Sequence, residues 1–347
     1  MRSFMDLDAT LADQPRELGP LLARIDTGRG REDKFSDQAP AVLKQLRQDA
    51  RIDSITASNA IEGIIVDGAR ALQIGEGAPR FRNRNEREFA GYRDAIDRVI
   101  GDHELEPLSI PFVLDLHRTL FQHVGGRGGY LKTDQNFIVS YEHGRREVVF
   151  APPPPHETEF LLGETIDRYN AAQRDQAGHP LVLIGALIVD ILAIHPVADA
   201  NGRLARLITT HQLASQGYGV ARYVSLEQRI YDSKHTYYDR LARSQKGWHS
   251  GEHTIWPWVK YLASILASAY EELEKRVADA SRSGENKQDR VRRYILEQAP
   301  PDFQRRDLER ALPGVSPATI RLVLNQLRDA GKIAVNGGGP GARWQRS

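Results

Sequence analysis

One twelve-residue stretch of this chain concentrates side chains that could do chemistry together: His195-Pro196-Val197-Ala198-Asp199-Ala200-Asn201-Gly202-Arg203-Leu204-Ala205-Arg206. His195 carries an imidazole that titrates near neutrality when unperturbed, so it can take a proton from an attacking hydroxyl. Asp199 offers a hard oxygen ligand of the kind Mg²⁺ prefers. Asn201 and Gly202 tolerate positive φ, which lets successive backbone N–H groups turn inward just ahead of a helix N-terminus and so makes an anion site. Arg203 and Arg206, three apart on the helix that follows, share one face and are spaced for two phosphates of a polyphosphate. Taken singly these features are ordinary, since a His-Pro pair often only ends a helix and an Asp-x-Asn-Gly often only makes a turn. Together they predict a polyphosphate site with a divalent ion and a general base.

The elements around this loop follow from apolar spacing. Pro196 disfavours helical geometry at His195, so the apolar helix predicted over 180–194 must stop there and leave the imidazole at its end. An amphipathic helix over 203–216 follows, with Gly217 as its stop. Helical spacing also predicts one or two helices over 39–61 and further helices at 86–100, 110–123, 157–172, 237–243 and 256–277. Phe137, Val139, Val148 and Phe150 bracket a His143-Gly144 turn, which predicts a β-hairpin closed by Pro152 to Pro155.

Composition narrows the chemistry. The 347 residues include no cysteine, which excludes disulfides, thiolate metal sites and a cysteine nucleophile, and fits a reducing compartment. The N-terminal MRSFMDLDATLADQPRE has no continuous apolar stretch and carries acidic residues, so neither a secretory signal nor a transit peptide is expected. The longest apolar run, Leu181 to Ile194, is broken by Asp190 and is too short to span a bilayer. A cytoplasmic protein without membrane attachment is expected.

The net charge of +1 hides an asymmetry: residues 286–347 hold ten arginines and two lysines against six acidic residues, a surplus of six that leaves the rest at −5. A hydrophilic linker is predicted over 278–288. Beyond it the pattern gives helices at 289–298 and 304–311, then a helix capped by Ser316 and opened by Pro317, with Ile320, Val323, Leu324 and Leu327 as its apolar stripe. Two short strands around Ile333, Val335 and Trp344, joined by a GGGPG turn, complete what resembles a winged helix-turn-helix. Arg321, Asn325 and Arg328 fall at i, i+4 and i+7 on the polar face, where a recognition helix would meet DNA. A protein-docking module with an ordinary solvated face has the same pattern.

The segment from His195 to Arg206 resembles the signature of the Fic (Fic/Doc) family, H-P-F-x-D/E-G-N-G-R-x-x-R. Ser58-Asn59-Ala60-Ile61-Glu62-Gly63 resembles that family's inhibitory motif, S/T-x-x-x-E-G/N, and the hairpin resembles its target-docking flap. The resemblance implies a mainly α fold: an N-terminal helical region over 1–109 carrying the inhibitory segment 58–63, a helical catalytic core with a small β-hairpin flap over 110–280, and the winged-helix-like α+β module over 286–347. It further implies a Mg²⁺-dependent protein adenylyltransferase that moves AMP from ATP onto a Ser, Thr or Tyr hydroxyl of a target protein. His195 would be the general base, Asp199 the Mg²⁺ ligand, and Asn201, Gly202, Arg203 and Arg206 the holders of the nucleotide phosphates. Glu62, with Ser58 at the head of its motif, would restrain the site by pairing with Arg206.

Two positions depart from the signature. Val197 replaces a phenylalanine, which predicts a less rigidly packed loop, and Ala200 replaces a glycine, which predicts strain of about 1 kcal/mol if that residue takes positive φ. The related Doc proteins, which transfer phosphate, also carry alanine at the latter position but have lysine where this chain has Gly202. Two other functions fit the same residues: removal of AMP from a modified protein with Glu62 orienting water, and a DNA-binding regulator whose Fic-like body is weakly active or degenerate. The sequence leaves the oligomeric state open, a homo-oligomer included.

Overall fold

The computed structural model describes the whole chain except residues 1, 33, 36–39, 78–79, 102–103, 126–127, 143–144, 283–287, 289–290, 293, 313–314, 338–341 and 347. It divides into two compact units, Met1–Val277 and Ala278–Ser347.

The first unit is a helical assembly around one buried rod. Helices α1 (Arg2–Met5), α2 (Leu7–Ala12) and α3 (Leu18–Arg29) open the chain, and the sequence reading did not anticipate them. Then come α4 (Pro40–Ile61), α5 (Gly68–Gly75), α6 (Arg84–Ile100) and α7 (Ile110–Phe121). The hairpin β1 (Ile138–Glu142) and β2 (Arg145–Phe150) follows, paired antiparallel with Val139 opposite Val148 and a bulge at Ile138/Val139. The predicted His143-Gly144 turn lies outside the described residues. After it run α8 (Pro155–Arg174), α9 (Pro180–Ile194), α10 (Asn201–Ser215), α11 (Leu226–Asp232), α12 (Lys234–Gln245) and α13 (Trp256–Arg282). Helix α13 is longer than predicted, because Ala278 to Arg282, expected as linker, continue it; of the rest of that linker, residues 283–287 lie outside the described ones.

Every residue of α9 from Leu181 to Ile194 is buried, which accounts for its almost wholly apolar sequence: a helix surrounded on all sides has no polar face. Asp190 is tolerated there because it accepts hydrogen bonds from the Ser3 hydroxyl (2.7 Å), the Ser3 amide (3.1 Å) and the Trp248 indole N–H (2.8 Å). A buried carboxylate with three donors avoids most of the cost of leaving water, and the arrangement fastens the N-terminal segment to the central helix. Among the described residues no helix is long and apolar enough to cross a membrane.

The second unit has its own core, built on Ile295, Phe303, Ile320, Val323, Leu324 and Trp344. Its elements are a π-helical turn at Tyr294–Gln298, β3 (Asp302–Gln304), α14 (Arg305–Ala311), α15 (Pro317–Asp329), β4 (Ile333–Asn336) and β5 (Arg343–Arg346), with β5 central in an antiparallel sheet ordered β3-β5-β4. The helix expected over 289–298 is described only in part, and residues 338–341 of the GGGPG turn lie outside the described residues.

Candidate active site

Helix α9 ends at Ile194, and His195 caps it in the left-handed region at φ 51°, ψ 61°. Pro196 does end the helix as predicted, though the residue before it takes αL geometry instead of an extended one. The imidazole Nδ1 lies 3.2 Å from the Leu192 carbonyl oxygen. A carbonyl only accepts, so Nδ1 carries the hydrogen and Nε2 keeps its lone pair. Burial pushes the His195 pKa down to about 4, with the nearby Lys132 cation acting in the same direction. The near-neutral value expected from sequence is therefore corrected downward: desolvation disfavours the imidazolium, and the ring is neutral at physiological pH.

Two residues that the sequence reading missed hold this loop. The buried Lys132 donates from Nζ to the Ile194 carbonyl at 2.9 Å and to Asn136 Oδ1 at 3.1 Å, while its backbone N–H donates to Pro196 O at 2.9 Å. Asn136 Nδ2 in turn donates to the carbonyls of His195 (3.2 Å) and Val197 (3.0 Å). Burial lowers the Lys132 pKa to about 8. Val197 has no exposed surface, and Asn201 grips it from both sides: its Oδ1 accepts the Val197 N–H at 3.1 Å and its Nδ2 donates to Val197 O at 2.7 Å. The loop is thus held by polar clamps, which supply the anchoring that the missing phenylalanine put in question. The side chain of Asn201 is engaged in this clamp and faces inward.

Ala200 caps α10 at φ 66°, ψ 20°, and no side chain caps that helix. The first amides of α10 have no intrahelical acceptor, so its positive end opens at Gly202 and Arg203. Holding an alanine in αL costs about 1–2 kcal/mol. Ala200→Gly should raise stability by about 0.5–1 kcal/mol, the relieved strain less the extra freedom glycine gains when unfolded. We expect a melting temperature about 1–3 °C higher; an unchanged or lower value by calorimetry would contradict the strain.

Arg203 is only 2% exposed at its side chain, with Nη2 donating to Glu88 Oε2 at 2.7 Å. Among the described residues its Nε and Nη1 have no hydrogen-bond partner, and buried donors in that condition call for an explanation. The other oxygen of Glu88 accepts from Arg84 Nε at 2.6 Å, and Arg84 Nη2 stands 4.0 Å from Asp199 Oδ2. The sequence reading missed Glu88; the signal that could have found it is its helical spacing with Tyr92, Ala95 and Val99, all buried on α6, where an acid must have a partner. Asp199 itself is 65% exposed at its side chain, with Oδ1 accepting the Ala200 N–H.

Arg206 is buried and donates from Nε to Ser58 Oγ (2.8 Å) and from Nη2 to both Ser58 O (3.0 Å) and Glu62 Oε1 (2.9 Å). Burial opposes its charge, but the Glu62 carboxylate, with smaller contributions from Tyr237 and Tyr92, outweighs that and holds its pKa above the usual arginine range. Helix α4 delivers these partners: Ile55, Ser58, Asn59 and Ile61 are buried, Ser54 bonds Ser225 at 2.9 Å, and Gly63 at φ 79° turns the chain just after Glu62. The Ile64 N–H closes that end on Asn59 O at 3.0 Å, a bond of the Schellman type. A Cβ added to Gly202 would stand 2.4 Å from Glu62 Oε1 and 3.3 Å from Arg206 Nη1. The carboxylate therefore lies directly over the open end of α10.

The structure brings His195, Asp199, Asn201, Gly202, Arg203, Arg206, Ser58 and Glu62 to one place, and Arg321, Asn325 and Arg328 belong to the second unit. Residues 107–213 match the sequence model of the Fic/DOC family. Among characterised relatives, the "Protein adenylyltransferase Fic" of Aedes aegypti is 24% identical over 69% of this chain and 45% of its own length. That of Nematostella vectensis is 23% identical over 70% of this chain and 53% of its own length. The chain thus spans about half the length of these relatives. In fold it is similar to a Fic family protein from Desulfovibrio desulfuricans G20 (TM-score 0.69, 22% identity, 96% of this chain and 97% of that one). It is also similar to a Fic domain containing signaling protein from Bacteroides thetaiotaomicron (TM-score 0.60, 20% identity, 74% and 98%).

Proposed function

We propose that this mainly helical chain, whose residues 107–213 match the Fic/DOC family, transfers AMP from ATP to a hydroxyl side chain of a target protein, with Glu62 holding the reaction in check. The observation that carries the reading is Arg203: a buried guanidinium with two unpartnered donors beside the uncapped N-terminus of α10. That set suits an anion with several oxygens. The amides at Gly202 and Arg203, the free donors of Arg203 and the guanidinium of Arg206 would together cradle a triphosphate. Gly202 has no side chain to fill that cradle, where a lysine would.

Asp199 fits a divalent ion in the way Mg²⁺ is usually held, by one or two carboxylates with the rest of its shell from phosphate and water. When bound, that ion would neutralise charge on the phosphates. His195 Nε2, fixed by the Leu192 carbonyl and the Lys132 and Asn136 clamps, would accept the proton of the target hydroxyl. The hydroxyl oxygen attacks the α-phosphorus, the bond to the bridging oxygen breaks, and pyrophosphate leaves. Orientation and charge neutralisation supply most of the acceleration. The hairpin exposes Val148 and Val149 on β2 and Phe137 ahead of β1, and a two-stranded hairpin has free edges that could pair with an extended target segment.

The reading is tested by which phosphate moves. Incubated alone with Mg²⁺, a purified Glu62→Gly variant should label itself from ATP carrying the label on the α-phosphate and not from ATP labelled at the γ-phosphate. Label arriving from the γ-position would show phosphate transfer and defeat the proposal.

A further inference from the structure

Unit Ala278–Ser347 shares no residue with the site above, yet it keeps a charge surplus of six within residues 286–347. Its longest helix, α15, is capped by the Ser316 hydroxyl, which accepts the Thr319 N–H at 3.2 Å. Ile320, Val323, Leu324 and Leu327 are fully buried on one side. That leaves Arg321, Asn325 and Arg328 exposed along the other, with Leu322 beside them 45% exposed. Helix α14 packs against α15, and the β4–β5 pair follows α15 directly. A short helix, a second helix with a polar outer face and a hairpin form the order in which helix-turn-helix modules meet a duplex.

The charges are disposed to suit. Among the described residues no ion pair engages Arg306, Arg310, Arg321 or Lys332, whereas Arg305, Arg328 and Arg343 are paired with Glu309, Asp329 and Asp302. The unpaired set thus includes the N-terminal half of α15's polar face, Arg306 and Arg310 on α14, and Lys332 at the start of the hairpin. Helix α15 has 13 residues, about 20 Å at the usual rise, and the major groove admits a helix of ordinary width. Arginine and asparagine suit guanine and adenine edges in that groove, and an exposed leucine suits the thymine methyl.

We infer that the second unit binds double-stranded DNA, with the face Arg321, Leu322, Asn325 and Arg328 set in the major groove and Arg306, Arg310 and Lys332 on flanking phosphates. The inference does not rest on the AMP-transfer reading.

The test is fluorescence anisotropy with the full chain and a labelled mixed-sequence duplex, titrated at several salt concentrations. Binding should be measurable at low salt and fall steeply as salt rises, since each neutralised phosphate releases counterions. Arg321→Ala with Arg328→Ala should weaken it about 10-fold or more, with an unchanged melting curve. Selection from a random duplex library should then yield a preferred site, and Asn325→Ala should relax the preference at one position of it. No binding at low salt, or binding equally strong in the double variant, would overturn the inference. If the double variant melted early, retention of one base preference in Asn325→Ala would overturn the placement of α15 just as directly.

Discussion

Replacing His195 by alanine is expected to lower AMP transfer by about 10²–10⁴-fold, the usual contribution of a general base, while leaving ATP binding within a few-fold of the parent. The division follows from geometry. The imidazole sits at the end of α9 with Nδ1 committed to the Leu192 carbonyl, so only Nε2 can act, and its partner would be the incoming hydroxyl. On the proposed reading the phosphates would instead be met by Arg203, Arg206 and the amides of α10. A pKa of about 4 places the ring in its proton-accepting form throughout the physiological range. The sign is that of a depressed base: activity should hold as pH falls through neutrality and decline only as pH approaches that value. A bound triphosphate would move the decline upward, because a nearby anion favours the imidazolium. Rates measured from pH 4 to 8, alongside nucleotide binding by calorimetry, separate these roles. Transfer by the alanine variant within a few-fold of the parent would remove His195 as the base.

Much of this site was legible because its reactive residues are contiguous. A His-Pro at the end of an apolar run and two arginines three apart need only local geometry to be read, whereas the positive φ expected around Asn201 and Gly202 falls on Ala200 instead, and those two residues already belong to α10. The Glu62–Arg206 pair was legible for a different reason, since the glutamate's motif could be matched although it lies far away in sequence. Glu88, Arg84, Lys132 and Asn136 carry no such mark. They meet the loop only because α6 packs on α10 and the segment before β1 runs under His195, and a chain read along its length does not contain those contacts. Helices α1 to α3 escaped for want of a strong apolar period; Asp190, noted only as an interruption, turned out to be what holds Ser3 against the core. The His195 pKa failed in the same way, because burial is a property of the packed state.

Removing the Glu62 carboxylate is the other large effect: Glu62→Gly should raise AMP transfer, including self-modification, roughly 10- to 100-fold. That range corresponds to the worth of a hydrogen bond to a charged group, and the pair here is charge-assisted at 2.9 Å with Arg206 only 4% exposed. Glu62 acts at two points at once. It takes the Arg206 donor that a terminal phosphate would need, and its Oε1 lies over Gly202, where an anionic oxygen of the substrate would meet the amides of α10. Two anions cannot share that place, so with the carboxylate present ATP would bind less well or with its α-phosphorus out of line for attack. Arg206 keeps its bonds to Ser58 when Glu62 is lost, so the guanidinium stays oriented and the gain does not depend on its finding a new position. Arg206→Ala added to Glu62→Gly should therefore cancel the increase. Incorporation of labelled AMP by the parent, the single and the double variant, at equal concentration and with matched melting curves, provides the measurement. An active parent that gains nothing from the substitution would defeat the restraint. Loss of AMP release from a pre-modified protein in the same variant would reassign Glu62 to orienting water for hydrolysis.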